Sequence, residues 1–98
     1  NSGIHDGMEL AELFDLIQTG TADDSILVRY DRRRRPLNVE YVQQVTVANK
    51  RRLEEKDPVI RRERLDELRR IVDDPIQHKA FLMRASLIDS VRKAATIE

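Results

Sequence analysis

The residues best suited to hold a ligand stand at the start of the chain. Asn1-Ser2-Gly3 is a small polar turn with a glycine, and an apolar stretch follows from Met8 onward. This order is typical of a loop that leads into a helix N-terminus. Such a terminus has unpaired backbone N–H groups and a partial positive charge, which favour a phosphate or another electron-rich group. We expect the residues on the ligand's other side to precede Asn1, although simple helix capping would require the same turn.

Four consecutive arginines, Arg32–Arg35, form the densest run of charge. They could bind phosphate or nucleic acid, but consecutive helical residues do not share a face, so their guanidinium groups should fan out around the axis. Asp31 can pair with Arg34 or Arg35, and no interleaved aromatic residues suggest base stacking. We therefore expect no nucleic-acid partner.

The two histidines, His5 and His78, lie on separate predicted helices, and neither has a second ligand at metal spacing. Around His5 and Asp6 there is no serine or cysteine arranged for nucleophilic catalysis. The chain has no cysteine, which excludes disulfides, thiolate catalysis and cysteine-based zinc sites within these residues. We expect neither a metal site nor a catalytic residue in this chain.

The composition indicates helices with narrow apolar stripes, because 37% of the residues are charged and only 4% are aromatic. The net charge is zero but unevenly distributed. Residues 1–28 carry six acids and no Lys or Arg, whereas residues 29–56 carry nine bases and four acids. We expect the acidic first helix and the basic second helix to face each other. No run of eighteen apolar residues occurs, so we expect no membrane span. The lack of cysteine fits a cytoplasmic protein, which we expect.

Hydrophobic periodicity predicts an all-α fold of about four helices, of which the first two carry the candidate ligand residues. The first helix spans about Ile4 to Thr19 and stops at Gly20. It has too many apolar residues for one stripe, so we expect neighbours on more than one side. The second begins at a cap among residues 23–25 and extends to about Lys56. Because Pro36 removes a backbone hydrogen bond, we expect a kink near residues 32–36, or two helices that meet there. Its inward stripe comprises Leu27, Tyr30, Arg34, Leu37, Tyr41, Val45 and Ala48, and we expect both tyrosines to pack in the core.

Two further helices should each begin with an acidic N-cap followed by proline, at Asp57-Pro58 and Asp74-Pro75. The third covers about Pro58 to Val72 and the fourth about Pro75 to Ala95. The residues that we expect to face inward are Ile60, Leu65, Leu68, Ile71 and Val72 in the third helix, and Ile76, Ala80, Met83, Leu87 and Val91 in the fourth.

Two segments together resemble a known family. They are Asn1-x-Gly3-x-x-Asp6-x-x-x-Leu10-Ala11 and Leu27-x-x-Tyr30-x-x-x-Arg34-Arg35-Pro36. In order and spacing they resemble the C-terminal part of the FAD-dependent aromatic-ring monooxygenases of the para-hydroxybenzoate hydroxylase and phenol hydroxylase type. The direct match covers about residues 1–36. The resemblance implies that these 98 residues are a helical fragment of a larger α/β flavoprotein, which uses NAD(P)H to hydroxylate an aromatic, phenolic substrate.

The resemblance also implies roles for individual residues. Asn1, Ser2 and Gly3 would contact FAD through their backbones, with Gly3 allowing a close approach. Asp6 would favour the helix dipole and would not act as a catalytic base. Leu10 and Ala11 would pack the helix beneath the flavin, and Tyr30, Arg34, Arg35 and Pro36 would shape the second helix.

The sequence departs from the family pattern at several points. Gly7 stands where alanine is usual and Phe14 where leucine is common. The Gly-rich residues expected before Asn1, the G-x-G-x-x-G dinucleotide unit and the substrate-binding sheet are absent from these 98 residues. We therefore expect the fragment to be inactive by itself. It would consist of a flavin-facing helix (1–20), a kinked long helix (24–56) and a helical hairpin (58–98), with the rest of the parent as its partner. The alternative is an autonomous helical interaction module that buries its apolar surface by self-association, for example as a homodimer.

Overall fold

The computed structural model describes all 98 residues, and it is entirely helical, with no strand. The expectation of an all-α fold with a long, proline-containing second helix is confirmed. There are five helices: α1 (Ser2–Gln18), α2 (24–54), α3 (Pro58–Asp73), α4 (Pro75–Ala85) and α5 (Ile88–Ala95). None of them combines the length and the apolar composition needed to cross a bilayer.

Helix α1 ends where the sequence predicts, because Gly20 adopts a left-handed conformation with φ of +74°. The Gly20 N–H donates to the Ile17 carbonyl at 3.1 Å, and the Thr21 N–H donates to the Leu16 carbonyl at 3.0 Å. This pair of bonds is a Schellman motif, which satisfies carbonyls that the last helical turn leaves free. A left-handed residue is least costly when it is glycine, which explains why the helix stops here.

Helix α2 is one continuous helix of 31 residues whose hydrogen-bond pattern changes along its length. A 3-10 turn (Asp24–Ile26) follows the Asp23 cap, an α-helix continues through Pro36 to Leu37, and Asn38–Gln43 widens into a π-helix. There the Gln44 N–H donates to the Val39 carbonyl, five residues back. The irregularity therefore lies two residues beyond the range where we expected a kink. Pro36 has no N–H to bond the Arg32 carbonyl, but the α-helix continues through it to Leu37, and the wider bonding begins only beyond that residue.

The Asp57-Pro58 and Asp74-Pro75 pairs each begin a helix, as predicted. The Asp57 carboxylate accepts from the Val59 N–H at 2.9 Å, and the Asp74 carboxylate accepts from the N–H groups of Ile76 and Gln77 at 3.0 and 3.3 Å. In each case proline follows as the first helical residue, where a missing N–H costs nothing.

The prediction of one helix from Pro75 to Ala95 is wrong, because the chain turns at Ser86 and Leu87 to form α4 and α5. Leu87 is left-handed, with φ of 65°, an unfavourable conformation for a residue with a side chain. Its half-buried side chain packs against the cluster of Leu37, Tyr41 and Ala94, which offsets that cost. Neither glycine nor proline marks the turn, so the sequence pattern gave no sign of it.

The six buried residues all lie in α1, in residues 24–43 of α2 and in α5; they are Leu13, Arg34, Leu37, Tyr41, Ser90 and Ala94. We call this part the junction. Residues 44–85 contain no buried side chain, and we call them the arm. The molecule measures 59 × 28 × 17 Å, and its radius of gyration is 18.0 Å. A compact domain of this length would have about 13 Å. The fold therefore has one small core and a long extension.

Several residues that we expected to face inward are exposed. In the arm these are Ala48, Leu65, Val72, Ile76 and Ala80, and in α5 Val91 is also exposed. The prediction fails because α3 packs mainly against α4, so a two-helix layer covers only one face of each helix. The stripe of α2 is closer to its prediction, since Arg34, Leu37 and Tyr41 are buried and Tyr30 is half-buried.

Candidate functional site

The N-terminus of α1 lies at the surface with its first backbone donors free. Asn1 is the N-cap residue, but its side chain makes no capping hydrogen bond. Its carbonyl accepts from the Ile4 N–H at 3.1 Å, whereas the N–H groups of Ser2 and Gly3 have no acceptor. A side-chain carbon added at Gly3 would meet nothing within 4 Å. Unpaired donors and open space therefore coincide at the three residues that the sequence singles out.

The side chain of Ser2 bonds to α2 and does not cap its own helix. Its hydroxyl donates to Asn38 Oδ1 at 2.5 Å, and Asn38 Nδ2 donates to both Asp6 carboxylate oxygens at 3.2 and 3.3 Å. Arg34 Nε donates to Asp6 Oδ1 at 2.6 Å. We call Ser2, Asp6, Arg34 and Asn38 the anchoring network. It joins the first two turns of α1 to the turn of α2 that leads into the π-helix.

A second ion pair joins the same two helices, from the next turn of α1 and from the residue just before Arg34. Arg33 Nη1 is 2.9 Å from Glu9 Oε1, and Arg33 Nε donates to the carbonyl of Ile97 beyond α5. The side chains of Arg33 and Glu9 are each about one-sixth exposed. The acidic first helix and the basic second helix therefore face each other, as the uneven charge of the sequence predicts.

The four-arginine run divides between different partners and forms no common patch. Arg33 and Arg34 point to α1, Arg35 pairs with Asp31 at 2.7 Å, and Arg32 is exposed. The expected fanning of the four guanidinium groups is only partly confirmed, because the consecutive Arg33 and Arg34 both bond to α1. Arg34 is the most consequential of the four, because only 5% of its surface is exposed.

Another face of α1 carries uncovered apolar residues. We call this the outer face; its exposed apolar residues and glycines are Gly3, Ile4, Gly7, Met8, Ala11 and Phe14, and the exposed Asp15 and Gln18 lie on the same face. A carbon added at Gly7 also meets nothing within 4 Å. Isolated apolar residues are common on protein surfaces, but a contiguous row on one helix marks a contact surface.

Tyr41 forms a second polar cluster where the arm meets the junction. The Arg84 guanidinium lies 4.6 Å from the centre of its ring, and Arg84 Nη2 donates to the Glu40 carbonyl at 2.9 Å. Lys93 Nζ is 2.8 Å from Glu40 Oε2, and this hydrogen bond raises the pKa of Lys93. A cation over an aromatic face is held by the ring quadrupole, so this cluster fixes helix positions and offers no open site.

The clefts of the molecule are shallow, and none collects a catalytic set of side chains. The cleft between α1, α2 and α5 has a volume of about 240 Å³ and is bordered by His5, Glu9, Arg33 and Val91. This is smaller than the usual ligand pocket of at least about 300 Å³. Two larger clefts, of about 470 Å³ beside α4 and about 670 Å³ at residues 53–61, include no residue of α1. His5 and His78 border different clefts, and no group of three or more His, Asp or Glu side chains could hold a metal ion.

Sequence reasoning missed the anchoring network. The sequence predicts that Asp6 favours the helix dipole and that Arg34 faces inward, pairs with Asp31 or shapes the second helix, whereas Asp6 and Arg34 form an ion pair with each other. The opposite charges of the two helices were the available signal. Asn38 gave no signal, since a lone asparagine after a proline reads as an ordinary polar residue. A scan against protein-family models and searches of curated proteins and solved structures found nothing that matches this chain.

Proposed function

We propose that these residues form the C-terminal helical part of an FAD-dependent, NAD(P)H-using monooxygenase that hydroxylates an aromatic substrate. One observation carries the proposal. The two segments that resemble this family pack against each other through Asp6 and Arg34, and the helix terminus that they hold has free N–H donors at Ser2 and Gly3. The 98 residues alone are not expected to be active.

The residues fit one edge of a flavin. The N–H groups of Ser2 and Gly3 would donate to an electron-rich edge of the ring system, and the open space before Gly3 would admit it. The partial positive charge of the α1 terminus favours negative charge on that edge. FAD would supply the redox chemistry with oxygen, while this chain contributes position and charge. The adenine, ribose and pyrophosphate would need residues outside this chain.

The outer face of α1 supports a larger protein around this terminus. Ile4, Met8 and Phe14 are each more than half exposed, and Ile4 and Met8 lie in the first two turns of α1, near the donors. Large apolar side chains are usually covered, and covering this face gains about 25 cal/mol per Å² of apolar surface. In the proposed enzyme the remainder of the flavoprotein packs there.

A second candidate function is that of an autonomous module that self-associates. Its support is the arm, where Leu53, Leu65, Val72 and Ile76 are all at least half exposed. A second copy could cover such surface without any cofactor. Sedimentation of the 98-residue chain separates the candidates only together with a visible spectrum of the full-length protein, because a detached fragment could also dimerise.

The experiment is a pair of glycine substitutions in the full-length protein that contains these residues. Gly3→Ala places a carbon in the space before the free donors, and we expect about tenfold weaker FAD binding, or ~1.4 kcal/mol. Gly7→Ala is the matched control, because its site is equally open but lies one turn along the helix, and FAD binding should not change. The measurement is FAD titration by flavin fluorescence. A wild-type protein that binds no flavin would refute the proposal.

A further inference from the structure

Two clefts meet at the turn between α4 and α5 and form one groove. The first, of about 470 Å³, lies along α4, and the second, of about 320 Å³, lies along α5 and reaches α1. Ser86 and Ile88 line both clefts, so the two are continuous. We call them together the elbow groove. The left-handed turn at Leu87 separates the two helices that form its walls.

Each wall of the elbow groove is one face of a helix. The α4 residues that line it recur at spacings of three and four, which places them on one side of the helix. They are Pro75, His78, Lys79, Leu82, Met83 and Ser86. Ile88, Val91 and Arg92 line the groove from α5 with the same spacing. Leu82 is 52% exposed and Ile88 is 42% exposed, so the groove offers a contiguous apolar row to a partner.

The charged residues that line the elbow groove are all basic. Lys79 lies on α4 and Arg92 on α5, and neither forms an ion pair. His5 and His78 are the other titratable residues of the lining, and no Asp or Glu lines either cleft. Because the net charge of the chain is zero, this positive charge is a local property of the groove. A complementary partner would therefore carry apolar and acidic side chains together.

The shape of the elbow groove favours a helix over a lipid surface. Helix α4 has 11 residues and is therefore about 16 Å long, which matches about three turns of a second helix. Amphipathic helices dock into apolar grooves through residues at i, i+3, i+4 and i+7. A helix that binds a membrane instead buries a protruding apolar face in the bilayer. A flat bilayer would contact the two walls of the groove and leave the cleft between them unfilled.

We propose that the elbow groove binds an acidic amphipathic helix of a partner protein. The apolar side chains of that helix would lie between α4 and α5, against Leu82, Met83 and Ile88. Its carboxylates would pair with Lys79 and Arg92 on the two walls. This binding site is independent of the proposed flavin site, since none of residues 1–3 lines the groove.

The test measures the binding of a synthetic helical peptide to the full-length protein that contains these residues. The peptide has about 14 residues, or about four turns, with leucine at i, i+3, i+4 and i+7 and glutamate at the flanking positions. A second peptide has glutamine in place of every glutamate. Fluorescence anisotropy of a dye on each peptide gives the dissociation constants. We expect the wild-type protein to bind the glutamate peptide about tenfold more tightly than the glutamine peptide.

Charge reversal locates the binding to the groove. Lys79→Glu combined with Arg92→Glu should weaken binding of the glutamate peptide by about tenfold or more. Arg62→Glu combined with Arg70→Glu is the matched control, because it changes the net charge equally at two exposed arginines that line neither cleft. Binding by the control should stay within about twofold of the wild type.

A second pair of variants tests the apolar row. Leu82→Ser should weaken binding of both peptides by about tenfold, because it removes apolar surface from the contact. Val72→Ser is its control, since Val72 is 57% exposed and lies outside the groove. Both side chains are more than half exposed, so neither change removes a core residue.

Several results would overturn the proposal. One is a wild-type protein that does not bind the glutamate peptide, and another is an equal loss of binding in both charge-reversed proteins. Binding to phosphatidylserine vesicles without peptide binding, lost on reversal of Lys79 and Arg92, would assign the groove to lipid. A change of oligomeric state on the same reversal, measured by sedimentation without peptide binding, would assign it to a second copy of the chain.

Discussion

The junction and the arm of this molecule are made from similar residues but are held together differently. The junction contains all six buried residues and the ion pairs of Asp6 with Arg34 and Glu9 with Arg33. The arm has no buried side chain, and its ion pairs, such as Arg69–Asp66, are exposed to solvent. Exposed ion pairs contribute little to the stability of the fold. Loss of one partner from a buried pair, in contrast, leaves an unpaired buried charge and destabilises the fold. The difference places rigidity beside the α1 terminus and leaves the arm dependent on local helix stability.

The same substitution in the two regions tests this contrast most directly. Leu37 is 1% exposed in the junction core, so Leu37→Ala should lower the free energy of unfolding by about 3–4 kcal/mol through lost burial and a residual cavity. Leu65 is 51% exposed in the arm, and Leu65→Ala should change the free energy of unfolding by about 0.5 kcal/mol or less. Urea denaturation followed by circular dichroism measures both. Equal effects would mean that the arm is packed as firmly as the junction.

The sequence predicts what depends on local chemistry. The Gly20 stop, the Asp-Pro helix starts and the long helix through Pro36 all follow from neighbouring residues, and the structure has them. It does not predict what depends on distant packing. The left-handed turn at Leu87 exists because that side chain reaches the core of α2, and helix periodicity carries no such information.

In the candidate site, too, the features set by neighbouring residues can be predicted from the sequence, and those set by distant packing cannot. Asn1, Ser2 and Gly3 are identifiable because a helix start has a local signature. The anchoring network joins residues that stand 28 to 36 positions apart, and only the three-dimensional arrangement brings them together. Likewise, Leu65 and Val72 carry a sound helical pattern, but the pattern cannot reveal that no second layer covers them.

The arm should respond most to changes in its own helix caps. Asp74 accepts from two backbone N–H groups at the start of α4, and Asp74→Ala should cost about 1 kcal/mol of local stability. Because the arm has no buried core, the loss should appear as faster amide exchange within α4. Amides of α1 should keep their wild-type rates. Equally faster exchange in α1 would show that junction and arm unfold as one unit.

The smallest expected effect lies inside the junction, where Lys93 of α5 pairs with Glu40 of α2. The hydrogen bond to Glu40 raises the pKa of Lys93 in the folded state above its usual 10.5, against a smaller opposing effect of desolvation. A raised pKa means that the bond stabilises the fold fully below pH 10.5 and that this contribution is lost as the pH rises through the folded value. Thermal melting from pH 9 to 12 should therefore show a small alkaline decrease in Tm. Lys93→Arg should reduce that decrease, because arginine stays charged throughout this range. An identical alkaline decrease in both proteins would assign it to other titrating groups.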